Sequence, residues 1–286
     1  LDFTDIFRSS VVDNFADEYL AGRTPNPCVR CNSLVKWDAF IEQADKLGAE
    51  FIATGHYAQV ENVDGKSVLM KGKDLYKDQS YVLWGIPAHT LKRTIFPLGN
   101  LTKNDVRKIA KENKFETADI PESMEICFVA DNNYKRFLRE YSPDQMSKVG
   151  NGEIIDDKGK VLGEHSGYTN YTIGQRKGLG LSNPEPRYVS NIDPVKNQIQ
   201  IGKKSSLTKN KCNIADLNWL VKQVEFPCEI QAQIRYNSKP VDALIKQENK
   251  NISIHFKVPQ LAVTPGQSVV FYRDEIVLGG GIIGKS

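Results

Sequence analysis

The sequence contains no run of about 18 consecutive apolar residues, the length that a membrane-spanning helix needs. It also shows no secretory signal peptide. Its five cysteines are odd in number and few for 286 residues, which does not fit a disulfide scaffold. The net charge of +3 is only mildly basic, so any nucleic-acid surface has to be local. We therefore expect a cytoplasmic protein with functional thiols.

The chain is long enough for two or three domains, and the pattern of its apolar residues changes twice. Helical periodicity over residues 5–20, ended by Gly22, and over 34–47 alternates with short apolar strands, which predicts an α/β fold. Asp64 and Gly65 predict the turn of a hairpin over residues 60–70, and the segment from Lys77 is expected to end as a helix. Thr102, with Asp105 three residues on, predicts a helix start. After Gly150 short β runs replace that periodicity, and regular strands from about residue 208 indicate a small barrel. We predict an α/β domain over 1–145, a small central β-rich domain over 146–207 and a C-terminal β-barrel over 208–286.

The segment of residues 22–37 carries the clearest signs of a site. Pro25 and Pro27 exclude a helix or a central strand running through it, so we expect a shaped loop. Cys28 and Cys31 lie on this loop. Cations, which favour the reactive thiolate, surround them in the sequence: Arg23, Arg30 and Lys36.

The Cys-x-x-Cys spacing alone is compatible with structural metal binding, redox chemistry or sulfur chemistry. No second Cys-x-x-Cys or His pair is present to complete a zinc site. Cys127 offers a third thiol, either for a ligand triad or for pairing with a loop cysteine, although a buried core position is an equal alternative. Cys212 and Cys228 are interpreted as structural because their surroundings in the sequence carry no charge pattern.

The other candidate site residues can also be explained by a purely structural role. His56 follows Gly55 at the end of an apolar strand, where ligands collect, but it also fits a hydrogen-bonded filler. Residues 77–79 fit an ordinary solvated helix start. Arg235 and Tyr236 fit either a surface pair or a contact to phosphate and base.

Six ordered motifs together resemble the MnmA (TrmU) family of tRNA 2-thiouridylases, over essentially the whole chain. The motifs are GRTPNP at 22–27 followed by Cys31, Asn32 and Lys36, ATGHY at 53–57, KDQSY at 77–81, FPLG at 96–99, EICF at 125–128 and YTIGQRKG at 171–178.

The resemblance implies a fold and an activity. The fold is an adenine-nucleotide hydrolase-like (PP-loop) α/β domain, a small central β-rich domain and a C-terminal β-barrel. The activity is ATP-dependent, Mg²⁺-assisted adenylation of the C2 oxygen of the wobble uridine in tRNAs for Lys, Glu and Gln. Sulfur from a relay protein or a cysteine desulfurase then displaces AMP and gives 2-thiouridine.

The resemblance also implies roles for individual residues. Cys31 matches the nucleophile and Cys127 the cysteine that carries a persulfide, and the two are expected to form a disulfide during turnover. Gly55 matches an ATP contact. The positions that match tRNA contacts are Asn26, Pro27, Cys28, His56, Lys77, Asp78, Gln79, Arg235, Tyr236 and Gln267.

The chain departs from the family pattern in two ways. Cys28 stands where many members have Asp, as in a subset thought to bind a four-iron four-sulfur cluster, so we hypothesise such a cluster on Cys28, Cys31 and Cys127. The family's pyrophosphate loop, a Ser-Gly-Gly-Val-Asp-Ser-Ser-like segment, is absent from this sequence, which opens at Leu1 like the end of a strand. We expect the 286-residue chain alone to bind ATP poorly through backbone amides and to be inactive.

Two alternatives from other functional classes remain at this point. One is a non-catalytic tRNA- or metal-binding module whose cysteines hold a structural ion. The other is a thiol oxidoreductase that needs neither ATP nor RNA.

Overall fold

The computed structural model describes residues 1–119, 126–181, 185–222, 224–249 and 251–285. The α-helices are α1 (Thr4–Phe7), α2 (Asp13–Leu20), α3 (Pro27–Arg30), α4 (Phe40–Lys46), α5 (Lys103–Glu112), α6 (Tyr134–Tyr141) and α7 (Pro143–Val149). None of the helices in these ranges is long and apolar enough to cross a membrane.

The first helical segment runs from Thr4 to Leu20, with π-helical geometry over Arg8–Val12. It buries Phe15 and Tyr19. Gly22 takes a positive φ of 69° and ends it, as the sequence predicts.

The proline-rich segment contains more helix than the sequence suggests. Residues up to Asn26 are irregular, but α3 begins at Pro27 and continues through Cys31–Ala39, in π-helical geometry, into α4. The expectation of a loop over all of 22–37 is therefore wrong from Pro27 onward. Proline is well tolerated at the first helical position, because the amide hydrogen that it lacks has no partner there anyway.

The strands of the N-terminal part form two pairs. β1 (Ile52–Ala53) and β4 (Thr94–Ile95) are parallel, as predicted for the apolar strand before Gly55, though only two residues long. β2 (Ala58–Val63) and β3 (Lys66–Lys71) form the predicted hairpin, in which Asp64 and Gly65 both have positive φ.

Two later predictions for this part have different outcomes. The predicted helix after Lys77 is only a 3₁₀ turn, Ser80–Leu83. The predicted helix start at Thr102 is confirmed as the N-cap of α5, because the side chains and amides of Thr102 and Asp105 cap each other.

A four-stranded sheet follows, in the order β6-β5-β8-β7. Its strands are β5 (Gly152–Ile155), β6 (Val161–His165), β7 (Tyr188–Asp193) and β8 (Gln198–Gly202). Its separate core contains Ile154, Val189, Ile199 and Ile201, all fully buried.

The C-terminal strands close into a six-stranded barrel, which confirms the predicted architecture. The strands are β9 (Thr208–Trp219), β10 (Cys228–Gln233), β11 (Val241–Glu248), β12 (Asn251–Leu261), β13 (Ser268–Arg273) and β14 (Ile276–Ile283). They pair in the order β13-β10-β11-β12-β9-β14, and the pairing of β13 with β14 closes the ring.

The barrel and the N-terminal part share one hydrophobic core. Leu69 and Trp84 lie in the same cluster as Val270 and Tyr272 of the barrel. A Cβ on Gly280 would lie 2.7 Å from the Trp84 ring, so the barrel wall and that indole touch directly. This shared core fixes the barrel against the segment that carries the cysteines.

Candidate functional site

Cys28 lies in the first turn of the helix that starts at Pro27, and Cys31 begins the next turn. Asn26 is the N-cap, and its side-chain oxygen accepts a hydrogen bond from the Val29 amide at 3.4 Å. Cys28 is exposed and Cys31 is half-buried. The π-helical geometry begins at Cys31, and such departures from the α-helix are frequent at functional sites.

The electrostatic surroundings of these thiols differ from the prediction. Desolvation by the surrounding protein raises the pKa of Cys31 and also of Cys28, whose side chain is exposed on one side only; Lys36 is the one nearby cation that lowers it. Arg23 donates to Glu18 at 2.6 Å and Arg30 donates to the Ser10 carbonyl at 2.8 Å. The expected activation of the thiols by three cations is therefore wrong, because desolvation outweighs the one cation that acts on them.

Cys127 lies close to the two helix cysteines. Negative charge on Cys127 raises the pKa of Cys28 and of Cys31, so Cys127 lies within the range of electrostatic interaction with both thiols. Cys127 itself is exposed, whereas Phe128 beside it packs at 5.3 Å against Phe15. The core alternative for Cys127 is therefore wrong: its neighbour anchors the segment and leaves the thiol at the surface.

The two remaining cysteines lie in the barrel. Cys212 and Cys228 are buried in the barrel core, as expected for structural residues.

All five cysteines are free thiols. Across the described residues, no group of three or more His, Cys, Asp or Glu side chains is placed to hold a metal ion. The geometry thus gives no support to the cluster hypothesis, and Glu125 of the EICF motif lies outside the described residues.

Gln267 of the barrel binds the backbone of the proline segment through hydrogen bonds. Its amide nitrogen donates to the carbonyl oxygens of Thr24, at 3.0 Å, and Pro25, at 2.9 Å. The Thr24 amide donates in turn to the Pro265 carbonyl at 3.0 Å. Gly266 has a φ of +89°, and a Cβ there would lie 2.8 Å from the Thr24 oxygen. The barrel therefore holds the backbone just before the cysteines, a contact that no signal in the sequence indicates.

Arg235 and Tyr236 follow β10 and face the same region. The Arg235 guanidinium donates to the Ala262 carbonyl at 2.7 Å, so it is anchored rather than loose on the surface. The Tyr236 ring meets the buried Tyr81 ring edge-on at 5.9 Å, while 43% of Tyr236 stays exposed. Tyr81 donates to the Ser268 carbonyl at 2.9 Å and links the KDQSY motif to the barrel.

The KDQSY motif is held by its own side chains. The Asp78 carboxylate accepts hydrogen bonds from the amides of Gly72, at 2.8 Å, and Ser80, at 3.1 Å. Burial raises the pKa of Asp78, against the effect of these bonds. Gln79 exchanges two hydrogen bonds with the Tyr57 backbone, at 2.8 and 3.0 Å. The interpretation of Asp78 as a solvated helix start is wrong, because the acid is partly buried and caps irregular backbone.

His56 is a buried neutral imidazole. It is 8% exposed, hydrogen-bonds Thr54 at 2.8 Å and lies 5.6 Å from the Trp37 ring centroid and 6.0 Å from that of Phe96. Burial, reinforced by Lys36, lowers its pKa to about 3. Its surroundings match the filler alternative.

The segment between β6 and β7 of the central part contacts the end of α2 and the proline segment as well. The Tyr168 hydroxyl donates to the Leu20 carbonyl at 2.7 Å, and the Thr172 hydroxyl lies 3.3 Å from that of Thr24. Thr172 belongs to the YTIGQRKG motif. All three parts of the chain therefore meet at residues 20–25, a few residues before Cys28.

Known proteins match the chain along its length. Three family profiles match it: "tRNA methyl transferase HUP domain" over residues 1–131, "tRNA methyl transferase PRC-barrel domain" over 135–203 and "Aminomethyltransferase beta-barrel domain" over 209–283.

Individual relatives agree with these profiles. A protein of Chlorobium phaeobacteroides is 46% identical over 285 residues, covering 99% of this chain and 79% of the relative. Proteins of Carboxydothermus hydrogenoformans (46% over 289 residues, 100% and 78%) and Clostridium perfringens (44% over 285 residues, 99% and 79%) are similar too. Each is named tRNA-specific 2-thiouridylase MnmA. The chain therefore belongs to the MnmA family of tRNA-specific 2-thiouridylases.

Proposed function

We propose that the protein is an ATP-dependent tRNA-uridine 2-sulfurtransferase that converts the wobble uridine to 2-thiouridine. The observation that carries this proposal is that Cys127, far from Cys31 in the sequence, lies near enough in the structure for its charge to raise the pKa of the Cys31 thiol. Both thiols are accessible to solvent, and the segment before them is fixed by contacts from the barrel and the central part of the chain.

The reaction has two parts. The C2 oxygen of uridine is a poor leaving group, and transfer of AMP from ATP onto it, with release of pyrophosphate, makes it a good one. The terminal sulfur of a persulfide on Cys127 then attacks C2, and AMP leaves with the oxygen. Attack of the Cys31 thiolate on the inner sulfur breaks the S–S bond, leaves sulfur on C2 and forms a Cys31–Cys127 disulfide. A two-electron thiol reductant restores the two thiols.

ATP supplies the adenylyl group, and we propose that Gly55 contacts it with Mg²⁺ as the counter-ion. Gly55 is exposed at the carboxyl end of β1, the edge where α/β sheets bind ligands. The HUP profile over residues 1–131 supports a nucleotide site in this part of the chain.

The substrate contacts are proposed from the position of residues around the thiols. Asn26, Pro27 and Cys28 form the helix start, and a base extruded from the RNA stack would rest against them. The other proposed tRNA contacts are His56, Lys77, Asp78, Gln79, Arg235, Tyr236 and Gln267. Several of these, such as Gln267 and Asp78, bond the protein's own backbone, so we propose that they act by shaping the surface that receives the RNA.

Cysteine variants of the whole protein test the proposal. Cys31→Ser and Cys127→Ser should each abolish thiolation of a tRNA transcript while tRNA affinity and thermal unfolding stay unchanged. Cys228→Ser, in the barrel core, is the matched control and should keep thiolation. Full thiolation by Cys31→Ser or Cys127→Ser would contradict the catalytic roles. Unfolding of both would favour a structural module, and dithiol activity without ATP or RNA would favour an oxidoreductase.

The finer features are also proposals. The substrates are tRNAs for Lys, Glu and Gln, the sulfur comes from a relay protein or a cysteine desulfurase, and the reaction takes place in the cytoplasm, where these tRNAs are used. An iron–sulfur cluster on Cys28, Cys31 and Cys127 is the competing sulfur carrier. Protein purified without oxygen that is free of iron but active would exclude it, whereas about four irons per chain would support it.

A further inference from the structure

An exposed tyrosine stands on the loop between β3 and the 3₁₀ turn Ser80–Leu83. The side chain of Tyr76 is 98% exposed, and the adjacent Leu75 is 66% exposed. We propose that the Tyr76 ring is a stacking platform for an unpaired nucleobase of the tRNA. This inference rests on the proposed function, and it adds a binding residue outside the motifs.

The loop that carries Tyr76 is fixed by one acid. The Asp74 carboxylate accepts hydrogen bonds from the amides of Tyr76, at 3.2 Å, and Lys103, at 3.0 Å. The Asp74 carbonyl accepts another from the Lys77 amide at 2.9 Å. The ring is therefore presented from an ordered backbone that is tied to the start of α5, which reduces the entropy lost when a base stacks on it.

Tyr76 shares its backbone with the proposed RNA contacts. Asp78 and Gln79 follow it within three residues and lock the segment onto Gly72 and Tyr57. A base on Tyr76 would thus lie beside the surface proposed for the tRNA. The base that reacts belongs at the thiols, so Tyr76 would hold a different nucleotide.

The charges around Tyr76 suit an RNA strand. Lys73 and Lys77 flank it in the sequence, and the backbone amide of Lys103 bonds Asp74 and brings a third lysine to the loop. The acids of the loop, Asp74 and Asp78, both accept hydrogen bonds from backbone amides. Basic groups that attract phosphates, combined with an aromatic face that stacks on a base, are the usual elements of single-strand RNA binding. A tyrosine ring accepts any base, so we expect the contact to add affinity without selecting a sequence.

Single exposed apolar side chains are common on protein surfaces, so a matched comparison is needed. Val195 provides it. It is 94% exposed, and its amide donates to the Asp193 carboxylate at 3.0 Å, much as the Tyr76 amide donates to Asp74. The two residues share exposure and local backbone bonding but differ in having an aromatic ring.

Binding of an unmodified tRNA transcript with a wobble uridine tests the inference. Tyr76→Ala should raise the Kd about 5- to 100-fold, whereas Tyr76→Phe should stay within about twofold of the wild type. The slope of log Kd against log salt should not change in Tyr76→Ala, because no phosphate contact is lost. Val195→Ala should bind like the wild type.

A fluorescent variant reports stacking directly. Tyr76→Trp should bind tRNA like the wild type, and the extra tryptophan emission, taken against the wild-type protein, should be quenched by tRNA. Wild-type affinity in Tyr76→Ala, or an equal loss in Val195→Ala, would overturn the inference while leaving the proposed function intact. A wild-type protein that does not bind tRNA would instead contradict the proposed function itself.

Discussion

At the scale of single residues, burial sets the protonation of His56. Its folded pKa of about 3 lies below the ordinary value of 6.5, so below pH 6.5 the unfolded chain binds a proton that the folded chain excludes. The stability contributed by the neutral imidazole is complete above pH 6.5 and is lost as the pH falls toward 3. Between pH 7 and pH 5 the resulting loss in the free energy of unfolding is at most about 2 kcal/mol.

Substitution of His56 tests this pH dependence. His56→Gln should flatten the decrease in the urea midpoint between pH 7 and pH 5, because the titrating group is gone. His89→Gln, at an exposed histidine, is the control and should keep the wild-type slope. A wild-type slope in His56→Gln would show that other groups cause the acid sensitivity.

Lys36 is the residue that opposes desolvation at the thiols. Its removal in Lys36→Met should raise the pKa of Cys31 further and slow alkylation by iodoacetamide at pH 8 roughly two- to fivefold. Lys46→Met, further along the same helical segment and paired with Glu42, should leave the rate unchanged. The rate at each cysteine is measured by mass spectrometry, and equal rates in both variants would mean that Lys36 does not act on the thiol.

At the scale of secondary structure, signals contained in a few residues predicted the structure well. Gly22 ends the first helix, and Asp64 with Gly65 turns the β2–β3 hairpin. Thr102 with Asp105 caps α5. Each of these signals depends on interactions within one turn of the chain, so the neighbouring residues are sufficient to predict the structure there.

Features that depend on distant partners were predicted less well. Pro25 and Pro27 indicated a loop for the two cysteines, whereas in the structure Asn26 caps a helix that begins at Pro27. The hydrogen bonds of Asp78 hold irregular backbone. Those of Gln267 reach the proline segment, which is remote in the sequence. Periodicity and propensity carry no information on such pairs, and only the motif resemblance marked these residues.

The turn at Gly266 is an element whose geometry the site requires. Gly266→Ala would place a methyl group 2.8 Å from the Thr24 carbonyl at a φ of +89°, so the barrel turn must move away from the proline segment. We expect a loss of about 1–3 kcal/mol in stability and a strong decrease in thiolation.

Gly159→Ala separates the two causes of that loss. Gly159 has a φ of +81° with nothing within 4 Å of a Cβ, so its substitution adds backbone strain without a clash. It should lower the urea midpoint slightly and leave thiolation normal. Equal activity losses in the two variants would mean that contact with Thr24 is unimportant.

At the scale of the whole molecule, the N-terminal part and the barrel form one packed unit around the shared core, while the central sheet has its own core. The three parts nonetheless meet at residues 20–25, where Gln267 of the barrel bonds Thr24 and Tyr168 of the central part bonds Leu20. We propose that residues 146–207 behave as a separate domain whose contacts with this unit include those at the site. The geometry of the site would then depend on how the central domain is aligned with this unit.

Hydrogen exchange tests this division. Leu69 is fully buried in the shared core, so Leu69→Ala should cost about 2–5 kcal/mol and lower amide protection in α4 and in β13 and β14 together. Ile199→Ala, which opens a comparable cavity in the central sheet, should lower protection in β5–β8 alone. Loss confined to the N-terminal part in Leu69→Ala would contradict a shared unit. Loss spreading from Ile199→Ala into the barrel would contradict an independent central domain, because only a common cooperative core transmits such a cavity across the chain.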